Sequence, residues 1–216
     1  KLISKTKSMG KAKPGKVKLK TAQLLGTYAA HEGESTSHIS VVDDSGNAVS
    51  MTSSIENAFG SRLMVRGFLL NNQLTDFSFV PVVNGKAIAN RVQPKKRPRS
   101  SMSPTLVVDG SGKLVMAVGS PGGSRIIGYV AKTLIAALDW KMGIQAAIEL
   151  PHFVNRNGST DLEKGSNLEV LKPALEKLGH KVRIRKLTSG LHGIFKAKDG
   201  KLYGGADPRR EGVALG

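Results

Sequence analysis

Cysteine is absent from the 216 residues of this chain. Disulfide bridges, thiolate metal ligands and cysteine nucleophiles are therefore excluded, whereas the compartment stays open because reducing and oxidising locations both tolerate such a chain. Long apolar runs are also missing, and no window approaches the roughly 18 consecutive apolar residues of a membrane-spanning helix. We therefore expect a folded domain without a membrane span, long enough to bury a substantial core.

Acidic and aromatic residues are scarce beside the basic ones. Lysine and arginine number 33 against 16 aspartates and glutamates, which gives a formal net charge of +17. Eight lysines lie within the first 20 residues, and further basic clusters occur at residues 91–99 and 177–186. Nucleic-acid binding usually adds aromatic side chains for base stacking, yet none lies inside these clusters. Solvated faces, or a surface that docks on an acidic partner, explain the charge better, so no nucleic-acid partner is expected.

Hydrophobic periodicity predicts strands and helices in separate blocks. Residues 38–53, 105–118 and 193–203 are typical of β-hairpins, because β-rich runs flank turns of Asp, Ser, Lys and Gly. Further short strands are predicted at residues 69–70 and 182–184. Apolar spacing of three and four residues predicts a helix over residues 124–140, with shorter helices over 21–30, 145–150 and 167–178. Because strands and helices do not alternate, the pattern favours an α+β layered fold over a doubly wound dinucleotide-binding fold.

A run of hydroxyl side chains, Ser35, Thr36 and Ser37, precedes His38 and the first predicted strand. Such a run usually serves turn formation or capping. The alternative is a nucleophile released by chain cleavage, since an N-terminal threonine can use its own α-amine as the base that activates its hydroxyl. The residue types do not choose among the three hydroxyls.

A glycine-rich turn over residues 119–125 lies between an apolar strand and the longest predicted helix. Consecutive glycines let backbone N–H groups converge on an anion, which suits a phosphate or a developing oxyanion. The Lys-Ser/Thr ending of a Walker loop is missing. A simple tight turn is the other interpretation.

Two loops carry groups suited to small polar ligands. Hydroxyls in residues 97–104 could hydrogen-bond a carboxylate, and amide and carboxylate groups in residues 71–77 could recognise an ammonium, although each segment also fits an ordinary loop or turn. The histidines show no pairing with a carboxylate that is typical of a metal site. We therefore predict no metal, and we interpret His38 as a packing residue.

Three segments, taken together in this order, resemble a known family. They are TSHISVVDDSGNAVSMTSSIENAFGS, LLNNQLTDFS, and KRPRSSMSPT followed by GSPGGSRII. They are similar to the small, catalytic subunit of the γ-glutamyltranspeptidases, which are N-terminal nucleophile hydrolases. The resemblance covers residues 36–216, while residues 1–35 resemble the tail of the family's large subunit with its processing linker. It implies an α+β fold, the αββα sandwich of these hydrolases, of which this chain supplies only part.

The resemblance implies a catalytic role for Thr36. Thr36 would attack the peptide bond that follows Ser35 in the precursor and then, with its freed amine as base, the γ-glutamyl carbonyl of a substrate. Ser54, where relatives usually have Thr, would hydrogen-bond the Thr36 hydroxyl. Gly122 and Gly123 would donate the N–H groups of the oxyanion hole.

The resemblance also implies how a substrate is held. Asp76 would bind the α-ammonium, with Gln73 and Glu56 nearby, and Ser100 and Ser101 would bind the α-carboxylate. No metal or organic cofactor is implied. The implied partner is the large subunit of the same precursor, the substrate is glutathione or a related γ-glutamyl compound, and the implied location is periplasmic or extracellular.

Two alternatives remain at this point. Some members carry Asn where this chain has Glu56, and the Glu form resembles a cephalosporin-acylase-like branch, so an acylase that removes a glutaryl group is the first. Discrimination from it rests on Asp76, because a carboxylate there favours substrates with an α-ammonium, and activity that is indifferent to removal of the ammonium would favour the acylase. The second is a non-catalytic basic module that binds a polyanion, which would show steeply salt-dependent binding.

Overall fold

The computed structural model describes residues 4–13 and 35–216. The helix expected over residues 21–30 lies outside the described residues. The strands are β1 Ser35–Val42, β2 Ala48–Glu56, β3 Met64–Val65, β4 Phe68–Leu69, β5 Val82–Val83, β6 Lys86–Ala87, β7 Thr105–Val108, β8 Leu114–Gly119, β9 Phe153–Asn155, β10 Thr160–Glu163, β11 Val182–Arg185, β12 His192–Lys196 and β13 Leu202–Ala206. The helices are α1 Ile126–Leu138, α2 Ile144–Glu149 and α3 Lys172–Lys177, with 3₁₀ turns at Gln73–Asp76, Gly123–Arg125 and Asn167–Leu171.

The first hairpin, β1 with β2, is closed by an Asp-rich turn. The Asp43 carboxylate accepts hydrogen bonds from the backbone and side-chain amides of Asn47, both at 2.8 Å. Gly46 takes a φ of 83°, which glycine adopts without strain. The turn fixes an antiparallel register in which Thr36 is opposite Ser54 and His38 is opposite Thr52.

This hairpin lies against a four-stranded antiparallel sheet of order β13-β12-β8-β7. The Ser50 hydroxyl in β2 donates to the carbonyl of Val118 in β8 at 3.0 Å. Gly119, at the end of β8, makes the close approach possible, because a Cβ there would fall within 2.6 Å of three His38 ring atoms. The two β layers therefore meet through small and polar residues.

The opposite face of the four-stranded sheet is covered by α1 and α2. Met116 and Val118 of β8 belong to one buried apolar cluster with Ile126 of α1 and Ile148 of α2. Alternation along β8 thus sends successive side chains to the helices and to the hairpin. The resulting order is hairpin, sheet and helices, two β layers and one α layer.

A second sheet, of order β11-β10-β9, lies beside this core. Asp161 of β10 is 1% exposed and pairs with Arg125 and Arg183, at 3.0 Å each. Arg125 ends the 3₁₀ turn that follows the glycine-rich segment. The buried Asp161 carboxylate therefore holds the end of the glycine-rich segment in place through Arg125.

Most predicted elements are confirmed to within a few residues. The expected helix over residues 167–178 is divided, however, into the 3₁₀ turn Asn167–Leu171 and α3. Pro173, in the first turn of α3, has no N–H to continue a helical ladder from the preceding turn. Gly179 follows the C-terminal end of α3 with a φ of 91°, the left-handed conformation in which glycine commonly ends a helix. In the described part of the chain, no helix has the length and apolar content to cross a bilayer.

Candidate active site

Thr36 stands where β1 pairs irregularly with the end of β2. The register shifts between Ser35 and Thr36, and the Thr36 side chain faces inward with 7% exposure. The Thr36 hydroxyl donates to the Ser54 Oγ at 3.1 Å. The Ser54 hydroxyl in turn donates to the Ser35 carbonyl oxygen at 3.2 Å and accepts the Glu56 N–H at 2.9 Å. Ser54 thus links the Thr36 hydroxyl to the carbonyl of the peptide bond between Ser35 and Thr36.

The glycine-rich turn passes beside Thr36. Gly122 has φ 134°, and a Cβ at this position would lie 2.7 Å from the Tyr129 ring. Any side chain is therefore excluded from Gly122 both by conformation and by space. Gly123 lines the pocket that contains Thr36, whereas Gly122 lines a separate cavity behind the turn.

Acceptor groups form one side of the Thr36 pocket. Asp76 is buried at the end of a 3₁₀ turn, and the Gln73 amide donates to its Oδ2 at 3.2 Å. The Gln73 Oε1 is buried and accepts no hydrogen bond within the described structure. Glu56 has a positive φ of 73°, and its carboxylate accepts a hydrogen bond from the Asn72 side chain. A strained residue at the end of β2 is thus held by a neighbouring loop.

Donor groups form another side of the pocket. Ser100, Ser101 and Arg99 come from the loop before β7. The Asn90 side chain ties this loop to the acceptor side, since its Nδ2 donates to the Asp76 carbonyl at 2.6 Å and its Oδ1 accepts the Arg99 N–H at 2.9 Å. Asn90 therefore helps to set the spacing between the two sides.

The sequence-predicted residues come together in one place. All of them except Gly122 line a single pocket, which consists of Thr36, Ser54, Glu56, Gln73, Asp76, Arg99, Ser100, Ser101, Met102, Gly123 and Ile126. Arg99, Met102 and Ile126 were not expected there. Arg99 carries a signal in the sequence, because it adjoins the two serines, but it was interpreted as part of a basic cluster. Asn72 lies in the amide-bearing segment 71–77 that the sequence singles out, whereas Asn90 has no local signal, since its partners are set by the fold.

His38 lies in β1, two residues beyond Thr36. Its ring hydrogen-bonds Thr52 at 2.8 Å and Ser40 at 3.1 Å. Burial, and secondarily the charge of His192, lower the pKa of His38 to about 4. The ring is therefore neutral near pH 7, and its burial against Gly119 agrees with a packing role. Within residues 4–13 and 35–216, no three His, Asp or Glu side chains gather as metal ligands.

Comparison with known proteins gives consistent matches. The sequence model of the family described as gamma-glutamyltranspeptidase matches residues 1–216. The glutathione hydrolase proenzyme of Escherichia coli strain K12 is 38% identical over 218 residues, which cover 96% of this chain and 35% of that protein. The chain thus spans about a third of the length of the curated relatives it matches.

Solved structures agree on the fold. A mutant gamma-glutamyltranspeptidase of Helicobacter pylori aligns with a TM-score of 0.71 at 36% identity, covering 80% of this chain and 99% of the matched chain. The structural neighbours have the N-terminal nucleophile hydrolase fold, so the expected α+β sandwich, with this chain supplying part of it, is confirmed. The acylase ACY 1 proenzyme of Pseudomonas sp. strain SE83 matches at 32% identity over 85% of this chain. The acylase branch is thus more distant than the glutathione hydrolases.

Proposed function

This chain belongs to the gamma-glutamyltranspeptidase family, and on that premise we propose that it carries the catalytic part of a γ-glutamyl acyltransferase and hydrolase. The enzyme would transfer the γ-glutamyl group of glutathione, or of a related compound, to water, an amino acid or a peptide. Residues 36–216 would form the small catalytic subunit, and residues 1–35 the tail of the large subunit with its processing linker. The observation that carries the proposal is the Ser54 hydroxyl between the Thr36 hydroxyl and the Ser35 carbonyl.

Self-cleavage is the first reaction that this arrangement supports. The Thr36 Oγ1 would attack the Ser35 carbonyl carbon while the Ser54 hydroxyl stabilises the developing oxyanion. Breaking the bond between that carbon and the Thr36 nitrogen, which takes up the proton released by Oγ1, would free the α-amine and leave an ester on Thr36 Oγ1. One water molecule would then hydrolyse the ester, releasing a carboxylate on Ser35 and restoring the Thr36 hydroxyl.

Acyl transfer would use the same hydroxyl. The new α-amine would take the proton of Thr36 Oγ1 as the oxygen attacks the γ-carbonyl of the substrate, and would return it to the departing amine. The N–H groups of Gly122 and Gly123 would donate to the tetrahedral oxyanion. Water or a second amine would then attack the ester and regenerate Thr36. No step requires a metal or an organic cofactor.

The two sides of the pocket suit the zwitterionic end of a glutamyl group. Asp76 and the buried Gln73 Oε1 would accept hydrogen bonds from the α-ammonium, with the Glu56 carboxylate nearby. The hydroxyls of Ser100 and Ser101 would donate to the α-carboxylate. A glutaryl group has no ammonium to satisfy the acceptors, so the acceptor side supports γ-glutamyl over glutaryl donors.

The remainder of the precursor is the proposed partner. The outer face of the β1–β2 hairpin is apolar, and Ile39, Val41, Val49 and Met51 are each about half exposed there. The inner face of the same hairpin carries His38 and hydroxyl residues. A hairpin with its apolar side chains outside and its polar side chains inside supports a further layer packed on the outer face, and we assign that layer to the large subunit.

The location is proposed from the family resemblance alone. We expect the complete protein in the periplasm or outside the cell. Fractionation of the native host, with activity on a γ-glutamyl anilide followed in each fraction, measures this directly. Activity confined to the cytoplasm would contradict it.

The decisive experiment is intact mass with N-terminal sequencing of the complete precursor. We expect two co-purifying chains, with the second beginning at Thr36. Thr36→Ala should leave one uncleaved chain, whereas Ser37→Ala, which removes the exposed neighbouring hydroxyl, should be cleaved normally. A stable uncleaved wild-type precursor would refute the proposal.

The donor is then identified with the processed enzyme. The rate of p-nitroaniline release from γ-glutamyl-p-nitroanilide is compared with that from its glutaryl counterpart, which lacks the α-ammonium. A marked preference for the γ-glutamyl compound is expected. Equal rates, or a preference for the glutaryl compound, would favour the acylase alternative.

A further inference from the structure

A cluster of cationic side chains lies on the far side of the glycine-rich turn from Thr36. Its members are Arg125, Arg156, Arg183, Arg185 and Lys186. Asp161 is the carboxylate paired with two of them, Arg125 and Arg183, at 3.0 Å each. Among the described residues, Arg156, Arg185 and Lys186 pair with no carboxylate.

The cluster is crowded enough for its members to affect one another. Arg156 donates to the Ser124 hydroxyl at the glycine-rich turn. Burial lowers the pKa of Arg156, and the positive charges of Arg125, Arg183 and Arg185 lower it further, whereas Asp161 acts in the opposite direction. One carboxylate therefore leaves most of the cationic charge uncompensated.

A cavity of about 250 Å³ opens into this cluster. Arg125, Arg185 and Lys186 line it, and Gly122 and Tyr129 form part of its wall. The Arg125 Nε is buried and donates to no acceptor in the described structure. A buried donor without an acceptor loses the hydrogen bonds that it makes in water.

We propose that this cavity binds a small multivalent oxyanion of the phosphate type. Guanidinium groups match the tetrahedral oxygens of phosphate with paired donors, and the lysine adds a point charge. The cavity is smaller than the roughly 300–1,000 Å³ of typical small-molecule sites, which favours a compact, doubly charged anion. The site is distinct from the Thr36 pocket, because the two share no lining residue.

Calorimetric titration of the complete wild-type protein with inorganic phosphate, at constant low ionic strength, tests the proposal. The test variant is Arg185→Gln with Lys186→Gln, which removes two exposed charges that line the cavity. The matched control is Lys177→Gln with Lys181→Gln, which removes two exposed charges from the same basic segment outside the lining. Circular dichroism of both variants checks that the fold is retained.

We expect saturable phosphate binding that weakens about tenfold or more in the test variant, because charge-assisted hydrogen bonds are lost. Binding by the control variant should stay within about twofold of wild type, since more distant exposed charges are screened. Absence of saturable binding, equal weakening in both variants, or tighter binding of glutarate than of phosphate would overturn the proposal. Binding does not require a cleaved Thr36, so this result is independent of the acyl-transfer test.

Discussion

Replacing Ser54 by alanine removes the side chain that joins the Thr36 hydroxyl to the Ser35 carbonyl. The change deletes a donor at 3.2 Å from that carbonyl oxygen and an acceptor at 3.1 Å from the Thr36 hydroxyl. It also leaves the Glu56 N–H without its acceptor. On the proposed mechanism, the substitution should therefore raise the self-cleavage barrier more than it destabilises the fold.

The magnitude follows from the kind of hydrogen bond that is lost. Removal of one oxyanion donor costs about 10²–10³ in rate, or about 2.7–4 kcal/mol. The donor here is neutral and its bond is long, so we expect the lower end, about a 10²-fold slower conversion of precursor. The unpaired Glu56 N–H should cost about 1 kcal/mol of folding free energy, too little to unfold an ordinary domain.

The assay follows purified precursor over time by gel electrophoresis and intact mass. Ser54→Thr keeps a hydroxyl at the same position and should be processed at a rate close to wild type. Ser53→Ala is the matched control, because Ser53 is exposed on the opposite face of β2. Wild-type conversion by Ser54→Ala, or equal slowing by Ser53→Ala, would refute the assigned role of the Ser54 hydroxyl.

Three further perturbations test other parts of the site. Asp76→Asn should raise the KM for a γ-glutamyl anilide about 10–100-fold, because one charge-assisted hydrogen bond to the ammonium is lost. Self-cleavage, measured by intact mass, should be unchanged. An unaltered KM would contradict the role of Asp76. Asn90→Ala removes hydrogen bonds to the main chains of Asp76 and Arg99. Steady-state kinetics should therefore show a KM raised about tenfold, with kcat much less affected. A loss confined to kcat would contradict a role of Asn90 in spacing the two sides of the pocket. The pKa of His38 is lowered to about 4 from 6.5, chiefly by burial, so between these pH values the unfolded chain binds more protons and folding stability falls as pH falls. After allowance for solvent screening, His38 should account for a loss of about 1–2 kcal/mol in the free energy of unfolding between pH 7 and pH 4. Urea unfolding of the wild type and of a His38→Gln variant at both pH values measures this contribution. The same pH dependence in both proteins would contradict it.

Local sequence signals are sufficient for the elements with strong turn chemistry. The hairpin of β1 and β2 follows from Asp43, Asn47 and Gly46, whose side-chain and backbone geometry closes the turn without tertiary help. The end of α3 follows in the same way from Gly179. Each of these signals lies within a few residues of the structure that it predicts.

Strands β9 and β10 were not predicted, for a physical reason. Asp161 and Glu163 give β10 the composition of an exposed segment, yet Asp161 is buried. Its burial depends on Arg125 and Arg183, which are distant in sequence. The local sequence therefore does not show that the Asp161 charge is neutralised by residues that only the fold brings close to it.

The same distinction between local signals and contacts made by the fold applies to the candidate site. Thr36, Asp76 and the paired serines were predicted because their motifs resemble a family, and composition alone left the choice of nucleophile open. Asn90 was not predicted, because an asparagine in a loop has no distinguishing neighbours until two chain segments meet around it. Roles that depend on distance between segments require the structure.

The alternation of side chains along β1 limits how this sequence can change in evolution. Side chains along β1 alternate between the two faces of the hairpin, so Thr36 faces inward and Ser37 faces outward. A one-residue insertion between Ser37 and Val42 would bring Ser37 into the inward position and turn Thr36 to the outside. A two-residue insertion would keep Thr36 facing inward but move it along the strand, away from Ser54. We therefore expect insertions and deletions within β1 to be rare among natural relatives, because the choice among three adjacent hydroxyls depends on the exact register of this strand.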